Sequence, residues 1–229
     1  MYKPKNYLFN QDKQTLNISK LITSENIKQD ELLNISKFVV TENFKYHRDE
    51  IHPNDYENDI ISIYKEEIDY LDNSKIFAIK NEDEEIIGTI RALKWDYIHP
   101  LPIQKIFGIN PLSCINRYSI NEIWHIGRFA IKKGSRDINL FKQLMLYAIR
   151  LICQHKDNIA FAECDAKLLR TMNLIGIKTE IVGESISYLG SETIPVIISY
   201  NGLIDFYNKN KYMLNNVRVN QLSKTCTVY

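Results

Sequence analysis

Four cysteines are all the sequence holds, and no two of them stand at a spacing that grips a metal: Cys114, Cys153, Cys164 and Cys226 are scattered. That excludes a dense disulfide framework and a zinc-ribbon pattern, and leaves reduced thiols as the expectation, with Cys153 and Cys164 in the core. No apolar run approaches the roughly 20 residues needed to cross a bilayer. The opening MYKPKNYLFNQDK has no apolar stretch of the signal-peptide kind. A net charge of only +1 gives no strong positive field, which argues against bulk nucleic-acid binding and leaves room for a local basic patch. Glycine (8) and proline (6) are few, and there is no repeat or low-complexity block, so disorder is excluded as the main state. These absences leave a globular protein, expected to be cytoplasmic, with no integral membrane segment and at most peripheral contact with a membrane.

What is present is 45% hydrophobic residues over 229, enough for one large domain. Residues 1–28 read as an irregular lead-in, 29–212 as a single domain and 213–229 as a polar tail. DELLNISKFVVTENF carries apolar residues at helical spacing with Asp30 as candidate N-cap, and NDIISIYKEEIDYLD reads as a second helix. KIFAIKN and EIIGTIRALKW form a predicted hairpin across the acidic turn, with Gly88 marking a bulge or a close backbone approach. Residues 96–120, with three prolines, read as a long loop with room for a helical turn, which is uncommon without a task such as closing over a ligand. NEIWHIGRFAIKK is a strand and DINLFKQLMLYAIRLICQH an amphipathic helix, with Lys142, Gln143 and Arg150 expected between its apolar positions. NIAFAECD is a buried strand, AKLLRTMNLIGI a helix, and KTEIVGESISYLG with ETIPVIISY a last strand pair. The segment after them reads as peripheral. Strand–helix–strand over 122–164 predicts a parallel crossover in a mixed sheet, hence an α/β layered fold with a site where parallel strands diverge.

The stretch EIWHIGRFAIKKGSRD, residues 122–137, holds the chemistry. Strand alternation puts His125 on one face with Ile123, Gly127, Phe129 and Ile131. Such a histidine is either a hydrogen-bonded core residue or a general base, its ordinary pKa near 6.5 leaving the proton-accepting form abundant at pH 7. Beyond the strand, Lys132, Lys133, Gly134, Ser135 and Arg136 lead into a helix N-terminus, where unpaired N–H groups favour anions, so a solvated turn and a phosphate site are the two readings. Arg128 and Arg91 sit on strands and need partners, for which Glu67, Asp69 and Asp72 are the candidates.

Four stretches carry a resemblance to the acyl-homoserine-lactone synthases and the related N-acyl amino acid synthases, GNAT-like N-acyltransferases: EIDYLDN with Glu67, Asp69 and Asp72; IIGTIRAL with Gly88 and Arg91; IWHIGRFAI with Arg128 and Phe129; and LLRTMNLIGIKTEIVGESISYLGSETIPVIIS. The resemblance spans roughly residues 55–200. It departs from the family in having His125 where a glutamate is common, Gly127 where a serine is, and no N-terminal Arg, Phe and Trp set before Asp69.

The resemblance implies a GNAT-like three-layer α/β fold whose mixed, centrally splayed sheet is flanked by helices. It also implies transfer of a fatty acyl group from an acyl thioester, on acyl carrier protein or CoA, to a small amine acceptor. His125 and Arg91 are the expected catalytic residues, with Glu67, Asp69, Asp72 and Arg128 serving the acceptor or a structural ion-pair cluster. The donor's pantetheine arm is expected between the splayed strands, along Phe129, Ala130, Ile131, Lys132, Lys133, Gly134, Ser135 and Arg136, with amides near Phe129 to Ile131 polarising the carbonyl. Phe129, Phe161, Met145 and Leu144 are candidates for the acyl groove. No permanent cofactor or metal is expected. Acyl carrier protein is slightly preferred as donor, because Lys132, Lys133, Arg136, Lys142, Arg150, Lys167 and Arg170 offer an acidic partner a basic face. The product is expected to be an N-acyl amino acid or related amide. The alternatives are a homoserine-lactone synthase and a domain that binds acyl thioester or lipid without turnover.

Overall fold

A computed structural model describes residues 20–47, 56–115, 119–135, 137–188 and 191–214. Eight strands form one open mixed sheet: β1 (Lys20–Thr23), β2 (Ser74–Lys80), β3 (Ile86–Lys94), β4 (Ile123–Ile131), β5 (Ile159–Cys164), β6 (Glu180–Ile181), β7 (Ile186–Tyr188) and β8 (Ser191–Ser199). Their order is β1-β2-β3-β4-β5-β8-β6, with β7 also on β8. Every pair is antiparallel except β4–β5, whose parallel pairing is made by the crossover helix α4 (Ile138–Ile152). The helices α1 (Gln29–His47) and α2 (Tyr56–Asp69) cover one face of the sheet through a cluster that includes Val39, Val40, Ile60, Ile63, Ile76 and Ala78. Helix α4, with α5 (Ala166–Leu174) and α6 (Tyr200–Asn210), covers the other. The result is the layered α/β architecture expected from the alternation of strand and helix patterns. Among the described residues no helix is long and apolar enough to cross a membrane.

Several local expectations are corrected. The lead-in contains an edge strand, β1, paired with β2 from Lys20↔Lys80 to Thr23↔Phe77. Asp30 lies inside the first turn of α1, one residue past its start. The 96–120 loop, by contrast, does hold a helical turn, the short helix α3 (Pro102–Phe107), begun by proline and closed by Gly108 at φ 67°. Helix α4 is buried almost all round, Gln143 included, because α6 and the turn Lys211–Leu214 cover the side facing away from the sheet. The segment read as peripheral therefore completes the core, with Leu203 and Phe206 buried. Gly88 answers to a close approach: a Cβ there would lie 2.7 Å from Leu144 Cδ1 on α4, and the β2–β3 register also slips beside it.

The decisive irregularity is in β4. Opposite it, Arg91 pairs with Gly127 and Thr89 with Ala130, so the single residue Ile90 faces two, Arg128 and Phe129. Arg128 takes up the extra residue at φ 54°, and Thr89 Oγ1 donates to its carbonyl at 2.8 Å. This β-bulge reverses the alternation. His125 and Gly127 face the α2 side with Arg91, but Phe129 and Ile131 turn into the α4 core and Ala130 packs with α1 and α2. The expected shared face of residues 123–131 therefore ends at Gly127.

Candidate active site

The β4–β5 ladder stops at Ile126↔Ala162, while β4 runs on beside β3 to Ile131 and β5 runs on beside β8 to Cys164. Each strand keeps its outer partner and loses the inner one, so the sheet opens between them. A cavity of about 370 Å³ occupies the opening. Its polar wall includes Arg91, His125, Arg128, Glu163 and Tyr188, and its apolar wall runs along Phe141, Met145, Ile149, Met172, Ile198 and Leu203.

Helix α2 brings two adjacent glutamates to the polar wall. Glu67 is 2% exposed and Arg91 fully buried, and Arg91 Nη1 donates to Glu67 Oε1. The same oxygen accepts from Arg128 Nε at 2.7 Å, and Arg128 Nη2 donates to Glu66 Oε2. Lys105 on α3 reaches Glu66 at 3.3 Å and lies over the Tyr70 ring, which also carries the Arg91 guanidinium. Burial by itself raises the Glu66 carboxyl, but Arg128, Arg91 and Lys105 reverse this and hold it below its ordinary 4.5. Burial likewise works against the Arg128 charge, and Glu67 and Glu66 outweigh it, so its pKa is raised. The left-handed turn at Arg128 aims its side chain into this network.

His125 is 1% exposed yet is not sealed in hydrocarbon. Its Nε2 lies 2.7 Å and 2.9 Å from the two oxygens of Glu163, and its Nδ1 faces Arg91 Nη2 at 3.4 Å. A guanidinium can only donate, so Nδ1 accepts and the ring proton belongs on Nε2, given to Glu163. Both members of the pair line the cavity, and the Glu163 carboxylate, 10% exposed, is the more accessible of the two. Gly127 makes room for the ring: a Cβ there would stand 2.8 Å from His125 Cε1. Histidine at 125 and glycine at 127 are thus one steric choice.

No family model and no curated protein matches the sequence. Solved structures do match in fold. The AHL synthase LasI aligns with 83% of this chain and 96% of its own, at TM-score 0.51 and 18% identity. FeeM, an N-acyl amino acid synthase from uncultured soil microbes, aligns over 84% and 98%, at TM-score 0.55 and 12% identity. BjaI, a CoA-dependent acyl-homoserine lactone synthase solved with SAM and isopentyl-CoA, aligns over 85% and 89%, at TM-score 0.52 and 14% identity. The fold is that of the acyl-homoserine-lactone synthases.

Within that fold the residues singled out in the sequence divide. Arg91, His125 and Arg128 converge on the cavity and Glu67 ties both arginines, whereas Asp69 and Asp72 are exposed and make no ion pair among the described residues. Phe129, Ala130, Ile131 and Ser135 line the cavity; Lys132, Lys133 and Gly134 do not. Lys132 turns to Glu85 at 2.7 Å, and the Lys133 backbone N–H donates to Glu42 at 2.6 Å while its Nζ reaches the Lys45 carbonyl. Arg136 lies outside the described residues. At the start of α4, where the anion site is expected, Asp137 caps the helix, accepting from Asn139 N at 2.8 Å. Of the groove candidates, Phe129 and Met145 line the cavity, and Phe161 and Leu144 are plain core. Glu163, Glu66 and Tyr188 were missed in the sequence. Glu163 sits in an apolar strand pattern at the position aligned, one step past Phe161, with the face that carries His125. A charged residue inside NIAFAECD was the available signal.

Proposed function

We propose that this protein is an N-acyltransferase that moves a fatty acyl group from a phosphopantetheine thioester to the amine of a small, amino-acid-like acceptor, giving an N-acyl amino acid or a related amide. The observation that carries the reading is the His125–Glu163 pair presented to a cavity that opens where two parallel strands part. Such an opening exposes the inner edge of β4 from Gly127 onward, and backbone groups there are suited to hold a pantetheine arm and to polarise a thioester carbonyl. Glu163 takes the proton of the acceptor amine, with His125 and, behind it, Arg91 fixing the carboxylate. The amine nitrogen bonds to the carbonyl carbon, the carbon–sulfur bond breaks, and the leaving thiolate takes up the proton. The acyl chain lies along Phe141, Met145 and Ile149. His125, which the sequence offered as the base itself, thus works through its carboxylate neighbour.

Direct transfer is favoured over a covalent acyl-enzyme. Cys164 is a cavity-lining nucleophile by position, but burial, with Asp165 and Glu163 beside it, pushes its thiol up to about 12. It stays protonated at neutral pH and is a poor nucleophile.

Acyl carrier protein remains the first donor to test and CoA the second. With Lys132 and Lys133 turned aside, the basic face for a carrier reduces, among the described residues, to Lys142, Arg150, Lys167 and Arg170. The test is thiol release from acyl-CoA and from acyl carrier protein in the presence of a panel of amines, with the product identified by mass spectrometry. Glu163→Gln is expected to lower kcat by about a hundredfold or more while the protein stays folded. Absence of thiol release with every amine in the panel leaves a non-catalytic binding domain as the reading; formation of a homoserine lactone moves the protein to the lactone synthases.

A further inference from the structure

The length of the acyl group can be narrowed from the far end of the cavity, an inference that rests on the acyl-transfer reading just given. Where the strands part, the apolar wall is half-buried, at Phe129 and Ile131. Away from that opening the lining closes. Met172 and Ile198 are buried, and Ile177 and Leu203 reach 0% exposure. Leu203 stands in the first turn of α6, the helix that follows the last strand.

The wall that Leu203 forms is pinned from behind. Ser199 caps α6, its Oγ accepting from Gly202 N at 3.3 Å. Lys178, in the connection between α5 and β6, donates its N–H to the Gly202 carbonyl at 3.0 Å. A Cβ on Gly202 would lie 2.4 Å from the Lys178 carbonyl oxygen, so the two backbones meet with no side chain between them. Moving Leu203 aside breaks the Lys178 bond and this backbone contact together, and a close-packed interior has little compressibility to offer instead. The apolar arm therefore has a fixed end.

Its capacity is set by volume. At about 30 Å³ for a group the size of a water or a methylene, a cavity of about 370 Å³ holds roughly a dozen such groups. The thioester and the acceptor amine take a share of them. We propose that the acyl group is of medium length, about six to ten carbons, and that Leu203 on α6 is the specificity-determining residue that sets this ceiling.

The test uses the full chain and S-acyl-pantetheine thioesters of four to sixteen carbons, which carry neither the nucleotide of CoA nor a carrier protein. Affinity, measured by calorimetry with no amine present, should rise about three- to fourfold per methylene up to the ceiling and fall at least about tenfold four carbons beyond it. Thiol release with the amine panel should peak at the same length. Leu203→Ala should move both peaks about two to three carbons longer. Leu203→Val, which removes a single methylene and serves if the alanine variant fails to fold, should raise the ratio of the next longer chain to the best one several-fold. A purely structural loss lowers every length alike, so peaks and ratios unchanged in the folded variants overturn the role of Leu203. A peak outside this range, or affinity that climbs all the way to sixteen carbons, overturns the ceiling and leaves acyl transfer standing. A peak in binding with no thiol release to any amine supports the ceiling and overturns the transferase reading. Binding at no length overturns both.

Discussion

Gly127 shows how little space decides the chemistry of a site. Its missing side chain is where the His125 ring lies, so Gly127→Ala forces the imidazole off its line to Glu163. The expected outcome is a loss of thiol-release activity of about tenfold or more, with a much smaller change in Tm measured by circular dichroism. A variant that loses stability and keeps kcat would mean the ring's position is unimportant. Cys164 offers the complementary case. If transfer is direct, Cys164→Ser keeps kcat within a few-fold and no acyl-protein adduct is seen by intact-mass spectrometry in wild type; an adduct on Cys164 would replace direct attack with a two-step mechanism.

At the scale of elements, α2, β3 and β4 meet through Glu67, which joins Arg91 on one strand to Arg128 on the next. Removing one partner strands a buried charge. Arg91→Met should therefore cost about 3–5 kcal/mol in urea unfolding, far more than the same change at an exposed arginine such as Arg170. Helix α4 makes a smaller prediction. Asp137 is its N-cap, so Asp137→Ala should cost about 1 kcal/mol and, by removing a carboxylate at that helix end, should strengthen binding of a phosphate-bearing donor there. The bulge in β4 belongs to this scale as well. Its extra residue separates the His125 face from the residues beyond it, which is why one strand serves both the polar wall and the α4 core.

Across the molecule, the Glu66–Glu67–Arg91–Arg128–Lys105 network joins the layer of α1 and α2 to the sheet and to α3. Because the folded-state pKa of Glu66 lies below 4.5, its contribution to stability is fully present above about pH 4.5 and is lost as pH falls through the lower folded value. Glu66→Gln lacks that contribution at every pH. The stability gap between wild type and variant, measured by denaturant titration, should thus be constant at neutral pH and narrow below pH 4.5. A gap that stays constant down to pH 3 would remove Glu66 from the linkage.

Periodicity, turn residues and the order of patterns were enough to read the hairpin of β2 and β3, the β4–α4–β5 crossover and the layered α/β class, because each of these is set by contacts close in sequence or by a repeat of two or of three to four residues. The arginines could be read as needing partners, since burying a guanidinium alone is too costly. Which carboxylates would answer was not legible: Asp69 and Asp72 point to solvent, and the residues that answer are Glu66 and Glu67, chosen by which side of α2 faces the sheet. The pairing of His125 with Glu163, 38 residues away, was not legible either, nor the filling role of α6, nor the engagement of Lys132 and Lys133. Local sequence determined the elements and the burial each demands. Only the tertiary structure decided where the sheet parts and which charges meet there, because a single bulge at Arg128 changes the face of every residue after it and because ion pairs form between strands and helices whose separation along the chain carries no periodic signal.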